Sequence, residues 1–364
     1  MNLRSSTAAL AAAASLLLSA DAIGAKLKVP GQFASIQAAV DAANPGDIVE
    51  IDEGTYLESI EIINKTDLTI RGDGKVILDG SDANVDLIYV ETSDTVRIED
   101  LVLRNADRAV HAFWSLKVIA EDLRVKDMDL TAFWFEACAN GRVVDSKITD
   151  VGGNGVAFTQ SVACHVEETV ILRAAVAGVL ATGAQHSITD CEIVDAGFYG
   201  VRLGESGTPA TATLVLDNEI ENSGNDGILV GNLSTGCSIL ENSIKNAGDD
   251  GINVASASTA HLIDGNSVRG AATDGLELDG EDMVVSRNKV KKSGLVGIRI
   301  EDEADSGLYH ANNVKKSALD GIVLFGSTNS LHKNKAKNNG GLDLNDQMAP
   351  GVNVYSGNSF GTTN

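Results

Sequence analysis

The stretch "NAGDDGINVAS", residues 246–256, places two adjacent carboxylates before a glycine and a short alternation of apolar and polar residues. Similar stretches lie one step away on each side, "NSGNDGILVGN" at 222–232 and "GAATDGLELDG" at 270–280. An apolar alternation that returns at a fixed interval is typical of a repeat protein. The fold therefore depends on how regular this interval is along the whole chain.

Two columns of residues keep one period of about 22–24 residues. The glycine before the alternation recurs at Gly155, Gly178, Gly200, Gly227, Gly251, Gly275, Gly297, Gly321 and Gly341, and the one long step contains a loop insertion, "ESGTPATAT". The second column consists of Asn218, Asn242, Asn266, Asn288, Asn312, Asn334 and Asn358. Because the alternation has the period of a strand, the two columns indicate a solenoid of short strands.

Stacked coils pair each strand with the coils above and below, about 4.8 Å away. Asn suits a tight corner and can form a ladder with the Asn of the next coil, while Gly before the strand permits a sharp turn. The segment "FASIQAAVDAANPGD" predicts a capping helix over 35–43, with Ser35 as its N-cap. We expect one all-β domain over 26–364, with an N-terminal cap at 26–50 and a closing coil at 341–364.

These features resemble the right-handed parallel β-helix proteins of the pectin-lyase-like fold. The resemblance rests on the repeats and on the opening "VPGQFASIQAAVDAANPGDIVEIDEGTYLESIEI", which is similar to the first segment of many such proteins, including pectin methylesterases. It implies a single-stranded right-handed parallel β-helix. Lyases, hydrolases, epimerases, esterases, metal-delivery accessory proteins and adhesins share this fold, so the fold does not choose the function.

Residues 1–25 are typical of an export signal, with Arg4, an apolar run over 8–18 that is too short to span a bilayer, and small residues before Lys26. We therefore expect a secreted or periplasmic protein without a transmembrane segment. The net charge of −23 argues against nucleic acid and an anionic membrane surface as partners. It also disfavours a polyanionic substrate unless Arg residues or a divalent cation line the binding face. The sequence leaves the oligomeric state open.

In the "G-I-x-V" pattern the apolar pair points into the coil, so the x residue points outward. The predicted outward column is Tyr89, His111, Trp134, Ala157, Leu180, Arg202, Leu229, Asn253, Glu277, Arg299, Val323 and Asp343. Tyr89, His111 and Trp134, with Glu136 beside them, predict a patch on which sugar rings stack, unless a loop or a partner covers it. Further along, Glu277 is either a substrate-binding group or one half of a solvated Glu277–Arg299 salt bridge.

Three acids, Asp226, Asp250 and Asp274, precede the strand glycines of consecutive coils. Asp is favoured in turns before Gly, so scaffold is the larger part of their role. Stacked carboxylates about 4.8 Å apart nevertheless raise one another's pKa and lie near the spacing of an acid–base pair. If the protein is an enzyme, we expect Asp250 to be the key carboxylate, flanked by Asp226 and Asp274, with Arg299 holding the substrate's negative charge.

The register of these acids is also similar to that of polygalacturonases, whose motifs "NTD", "DD", "HG" and "RIK" occupy successive coils. The matching positions here hold "NDG" with Asp226, "DDG" with Asp250, "TDG" with Asp274 and "RIE" with Arg299. Asp274 stands in place of the family's histidine and Glu301 in place of its lysine. Both cationic substrate contacts are thereby lost, which argues against galacturonan hydrolysis.

The sequence suggests one candidate metal site. The oxygen ligands of Asp250, Asp274, Glu277 and Asp279 allow a calcium site, whereas the six histidines share no column that would build a zinc site. The four cysteines are predicted to be small buried fillers.

Two functions stay open for the chain. The first is a secreted β-helix that binds or processes a polysaccharide as a lyase or glycoside hydrolase. The second is a non-catalytic periplasmic or surface protein, either adhesin-like or an accessory factor for metalloenzyme maturation.

Overall fold

The computed structural model describes residues 24–205 and 207–364, apart from the side chains of residues 82 and 83. The predicted export signal therefore lies outside the described residues, except for its last two positions. In the described part of the chain, no helix has the length and apolar character needed to cross a bilayer.

The chain folds as a right-handed parallel β-helix in which each coil contributes strands to three faces. The first sheet contains Ile60–Ile63, Phe133–Glu136, Val156–Val162, Ala177–Ala184, Tyr199–Leu203, Ile228–Val230, Ile252–Val254, Leu276–Leu278, Ile298–Ile300, Ile322–Leu324 and Leu344–Asp346. The second contains Leu116–Glu121, Arg142–Val144, His165–Glu167, Ser187–Thr189, Leu214–Leu216, Ser238–Leu240, Leu262–Asp264, Val284–Ser286, Leu308–His310, Ser330–His332 and Val354–Ser356. The third contains Arg124–Met128, Lys147–Val151, Val170–Ala174, Glu192–Val194, Glu219–Glu221, Ser243–Lys245, Ser267–Arg269, Lys289–Lys291, Asn313–Lys315, Lys335–Lys337 and Ser359–Phe360.

The N-terminal coils have longer strands that continue around the corners. They are Lys26–Val29, Ile48–Tyr56, Thr66–Glu91 and Asp94–Phe113, and the short strand Ala210–Thr211 belongs to the loop insertion.

The capping helix is confirmed at Ile36–Ala42, with Ser35 as its N-cap. The Ser35 hydroxyl accepts a hydrogen bond from the Ala38 backbone N–H at 3.2 Å. Ile36, Ala39 and Val40 are buried, as the amphipathic pattern predicts. The helix covers the first coil, whose unpaired edge would otherwise invite aggregation.

The Asn ladder is confirmed at the corner between the second and third sheets. Asn242 donates from its side-chain amide to Asn266 Oδ1 at 3.0 Å and to the Val215 carbonyl at 2.9 Å. The Asn242 backbone N–H donates to the same Asn266 oxygen at 2.9 Å. Each side-chain amide in the middle of the ladder therefore has four partners, namely a backbone N–H, a backbone carbonyl and the amides of the two neighbouring Asn residues, which fixes the corner.

The glycine before each first-sheet strand has a different role from the predicted one. A Cβ at Gly251 would lie 2.5 Å from the Gly275 carbonyl oxygen and 2.2 Å from Val268 Cγ1. Gly251 is therefore required by the close approach of the next coil, rather than by a turn that only glycine can adopt. The four cysteines are free and buried, as predicted.

The predicted outward column holds from Tyr89 to Val323, but it is wrong at its last position. Val323 pairs with Asn345, not with Asp343. Gly341 stacks on Leu319 at the corner, where its N–H donates to the Leu319 carbonyl at 2.9 Å, so it lies two residues before the strand-glycine position. Asp343 occupies the strand-glycine position of the closing coil, because its carbonyl accepts from the Ile322 N–H at 3.1 Å as the Gly321 carbonyl does from the Ile298 N–H at 2.9 Å.

Candidate functional site

The acids Asp226, Asp250 and Asp274 stack at the corner between the third and first sheets and are 5%, 2% and 3% exposed. Asp226 Oδ1 accepts from the Asp250 backbone N–H at 3.1 Å, and Asp250 Oδ1 from the Asp274 N–H at 2.8 Å. Asp274 Oδ1 accepts from the Val296 N–H at 2.7 Å. Each carboxylate is therefore one step of a ladder, which agrees with the scaffold interpretation.

Glu277 joins Asp250 on the outward side of this corner. Asp250 also accepts from the Asn253 amide at 3.1 Å and from the Thr273 hydroxyl. Oxygens of Asp250, Asp274 and Glu277 all lie within 4.8 Å of one another. The hydrogen bond to Asp250, together with burial and the nearby negative charges, raises the pKa of Glu277 to about 8. At neutral pH Glu277 is thus a proton donor held against Asp250.

Asp226 is the second acid with a strongly raised pKa. Burial, with smaller contributions from the charges of Asp250 and Asp249, raises the pKa of Asp226 to about 7, although its hydrogen bond from Asp250 opposes this. The raised pKa values expected for stacked acids therefore occur at Asp226, which is buried, and at Glu277, which reaches the surface.

Arg299 is already engaged within the protein. Its guanidinium pairs with Asp274, with Nη2 3.4 Å from Oδ1, and its Nε lies 3.6 Å from Glu301. The predicted Glu277–Arg299 salt bridge is therefore wrong, because the guanidinium turns to the more deeply buried Asp274. Carboxylate oxygens this close to one another suit a hard cation such as calcium, but Asp279 does not belong to the group.

The predicted aromatic patch is a packed stack. The His111 ring lies on Trp134 with centroids 4.5 Å apart and planes within 6°, and Tyr89 meets His111 edge-on at 5.2 Å. His111 Nδ1 lies 2.9 Å from Asp86 Oδ2, and the Arg108 guanidinium is 4.7 Å from the Trp134 ring centre. Glu136 lies beside the stack, 3.9 Å from His111 Nε2. The side chains of Asp86 and Arg108 therefore pack against this stack.

Beyond Trp134 the first sheet opens into a groove. Ala157 and Leu180 occupy the next two outward positions, and Trp134, Glu205 and these two residues line a cavity of about 300 Å³. The Trp134 indole N–H donates to the Thr159 hydroxyl at 2.8 Å, which fixes the ring. Because Ala157 is small, the indole forms a wall of this groove.

A second cavity of about 490 Å³ continues along the same sheet and is lined by Arg202, Leu229 and Leu233, among others. Glu205 and Gly207 of the loop insertion border both this cavity and one of its neighbours. Sequence reasoning identified the insertion but not its position above the first sheet. The length of the extra loop was the available signal.

The structure does not bring the two predicted groups of site residues together. Trp134 and Glu277 are six coils apart in the outward column, or about 29 Å at about 4.8 Å per coil. Only an extended ligand can contact both.

Comparison with known proteins agrees with this architecture. Residues 177–339 match the family model of the right-handed β-helix region, which defines the class of the fold. Residues 47–247, more than half of the chain, match the family model described as "Periplasmic copper-binding protein (NosD)". The chain therefore belongs to the NosD family. No curated protein sequence matches it.

Solved structures show the same fold at low identity. The A-module of mannuronan C-5 epimerase AlgE6 from Azotobacter vinelandii has a TM-score of 0.60 and 16% identity, over 89% of this chain and 93% of that one. An alginate lyase from Paenibacillus sp. str. FPU-7 has a TM-score of 0.57 and 15% identity, over 64% and 91%. Tailspike protein 3 of bacteriophage CBA120 has a TM-score of 0.62 and 12% identity, over 89% and 58%. At these identities the likeness concerns the fold alone.

Proposed function

We propose that this exported β-helix binds an extended polysaccharide along the outward face of its first sheet. The observation that carries the proposal is the groove over Ala157 and Leu180, which has the Trp134 indole as one wall and continues past Glu205. Sugar rings present apolar faces and hydroxyl groups, which suit an indole wall and adjacent carboxylate and hydroxyl groups. The similarity of the fold to alginate-modifying enzymes agrees with this class of ligand.

Glu277 and Asp250 give this face a means of acting on the bound glycan. A general acid works best when its pKa lies near the working pH. Glu277 meets this condition with a pKa of about 8, and Asp250 accepts its hydrogen bond. We assign proton donation to Glu277 and its orientation to Asp250, which refines the expectation that Asp250 itself is the acid.

The test of glycan binding uses the two tryptophans as a matched pair. Trp134→Ala should weaken binding of whichever neutral or uronate glycan binds best in a panel, by roughly 10-fold or more, because an aromatic wall is lost. Trp114→Ala is the control, since Trp114 is 64% exposed at a corner. In a Trp114→Phe background, Trp134 fluorescence should respond to the same glycan. Equal affinity of both alanine variants would contradict the groove.

The family's description suggests a second function, periplasmic copper binding, and the described residues fit copper poorly. Copper favours imidazole, thiolate and thioether ligands. Burial raises the pKa of the Cys138 and Cys237 thiols to about 11, and of Cys164 and Cys191 to about 12, so all four stay protonated. The described groups of three or more neighbouring ligands contain carboxylates only. We therefore assign no step to copper.

A periplasmic or extracellular location follows from the same proposal. The export signal predicted over residues 1–25 and the periplasmic description of the family point to the same compartment. Fusion of residues 1–25 to a reporter that is active only after export tests this directly, and cytoplasmic retention would contradict it.

A further inference from the structure

The third sheet carries a concentration of positive charge that the glycan groove does not use. Ten of the 28 Lys and Arg residues of this acidic chain lie on its C-terminal coils or at their edges, and we call them the basic face: Arg269, Arg287, Lys289, Lys291, Lys292, Lys315, Lys316, Lys333, Lys335 and Lys337. This face is locally positive although the net charge of the chain is −23.

The centre of the basic face is one unbroken column. Register pairs Lys245 with Arg269, Arg269 with Lys291, Lys291 with Lys315, and Lys315 with Lys337. These cations therefore follow the solenoid axis at one per coil, about 4.8 Å apart. A parallel column holds Lys289 and Lys335 on either side of Asn313.

Most of this charge is uncompensated. Lys245, at the start of the column, pairs with Glu219 and Glu221, and Arg287, at its edge, pairs with Asp264. Among the described residues, the other nine members of the basic face form no ion pair within 4.0 Å. Stacked like charges repel, so an arrangement of this kind is costly for the fold unless a ligand neutralises it.

We infer that the basic face binds a linear polyanionic glycan of the polyuronate class, lying along the solenoid axis. Such a polymer carries one carboxylate per sugar, which matches cations that follow one line at one per coil. The unpaired cations lie in columns along the solenoid axis rather than over a broad area, so a thin linear polymer matches their arrangement better than an anionic membrane does. This surface lies on another sheet than the Trp134 groove, and the inference does not depend on the proposed function.

The test measures affinity for sodium alginate and polygalacturonate at low and high salt. The triple variant Lys291→Glu, Lys315→Glu and Lys337→Glu should bind roughly 10–100-fold more weakly, and added salt should weaken the native chain. The matched control is Lys117→Glu, Lys126→Glu and Lys147→Glu, which changes the net charge equally through exposed lysines outside the basic face. The control should bind polyuronate as the native chain does, and neither variant should change binding of dextran.

Four results would overturn the inference. The first is an equal loss in both triple variants, because net charge alone would then explain binding. The second is binding to phosphatidylglycerol vesicles but not to polyuronate, which would assign the face to a membrane. The third is loss of polyuronate binding in Trp134→Ala but not in the basic-face variant, which would locate the polyanion in the groove. The fourth is the absence of binding by the native chain, whatever the groove binds.

Discussion

The Asn ladder and the acid column occupy two corners of the same coils and solve the same problem differently. In both, a side-chain oxygen accepts the backbone N–H of a neighbouring coil, as Asn266 does for Asn242 and Asp250 does for Asp274. The amide also donates, so neighbouring Asn residues satisfy each other. The carboxylate has nothing to donate, so stacked Asp residues accumulate charge. A shared structural role thus leaves one corner neutral and the other able to titrate.

The largest expected effect comes from replacing one carboxylate of the acid column with the amide that the Asn ladder uses. Asp250→Asn keeps an oxygen for the Asp274 N–H but removes the charge that holds the Glu277 proton. Activity on any substrate found should fall by roughly 10²–10⁴-fold, while the melting temperature stays unchanged or rises slightly. Asp249→Asn, one residue away, is the control for both measurements. A fully active Asp250→Asn protein would reduce the column to scaffold.

The converse change should damage the ladder. Asn266→Leu removes the oxygen that receives both the backbone and the side-chain N–H of Asn242, and these donors are buried. We expect a loss of about 1–3 kcal/mol in the free energy of unfolding, measured in denaturant. The same substitution at the exposed Asn232, whose backbone is not left-handed, should have little effect. A native melting temperature for Asn266→Leu would show that the ladder contributes nothing.

The sequence predicts the position of a residue when that position follows from the repeat period. It does not predict which neighbouring side chain the residue contacts. The Asn column, the capping helix and the outward column from Tyr89 to Val323 follow from spacing, because strand stacking allows one register. The exception is the closing coil, where Asp343 occupies the glycine position and the preceding Gly340–Gly341 pair places the predicted column two residues too early. Spacing cannot reveal which neighbour a flexible side chain selects, and Arg299 accordingly pairs with Asp274 rather than with Glu277.

The distribution of charge is a second property that the overall composition does not describe. A net charge of −23 describes the average of the whole chain and not one face. The strings "NKVKK" at 288–292 and "KNKAK" at 333–337 recur with the period of the repeat. An alignment of the third-sheet strands is therefore enough to predict the basic face from the sequence. The groove beside Trp134 could not be predicted from the sequence, because it depends on where the loop insertion lies in space.

The smallest effect concerns the dependence of stability on pH. Asp226 and Glu277 keep their protons to about pH 7 and about pH 8 in the folded chain, against ordinary values of 3.8 and 4.5. Over this window the folded chain binds more protons than the unfolded chain, so stability falls as pH rises. The neutral Asn ladder contributes no such slope. Both acids contribute to this slope, and solvent screening of the partly exposed Glu277 reduces its share.

The most direct measurement is therefore the free energy of unfolding from pH 5 to pH 9 for the native chain and for the double variant Asp226→Asn and Glu277→Gln. The native chain should lose stability across this range more steeply than the double variant, and the double variant should be the more stable of the two at pH 9. Parallel pH profiles would contradict the claim that the acid column holds protons at neutral pH, and with it the assignment of Glu277 as the acid.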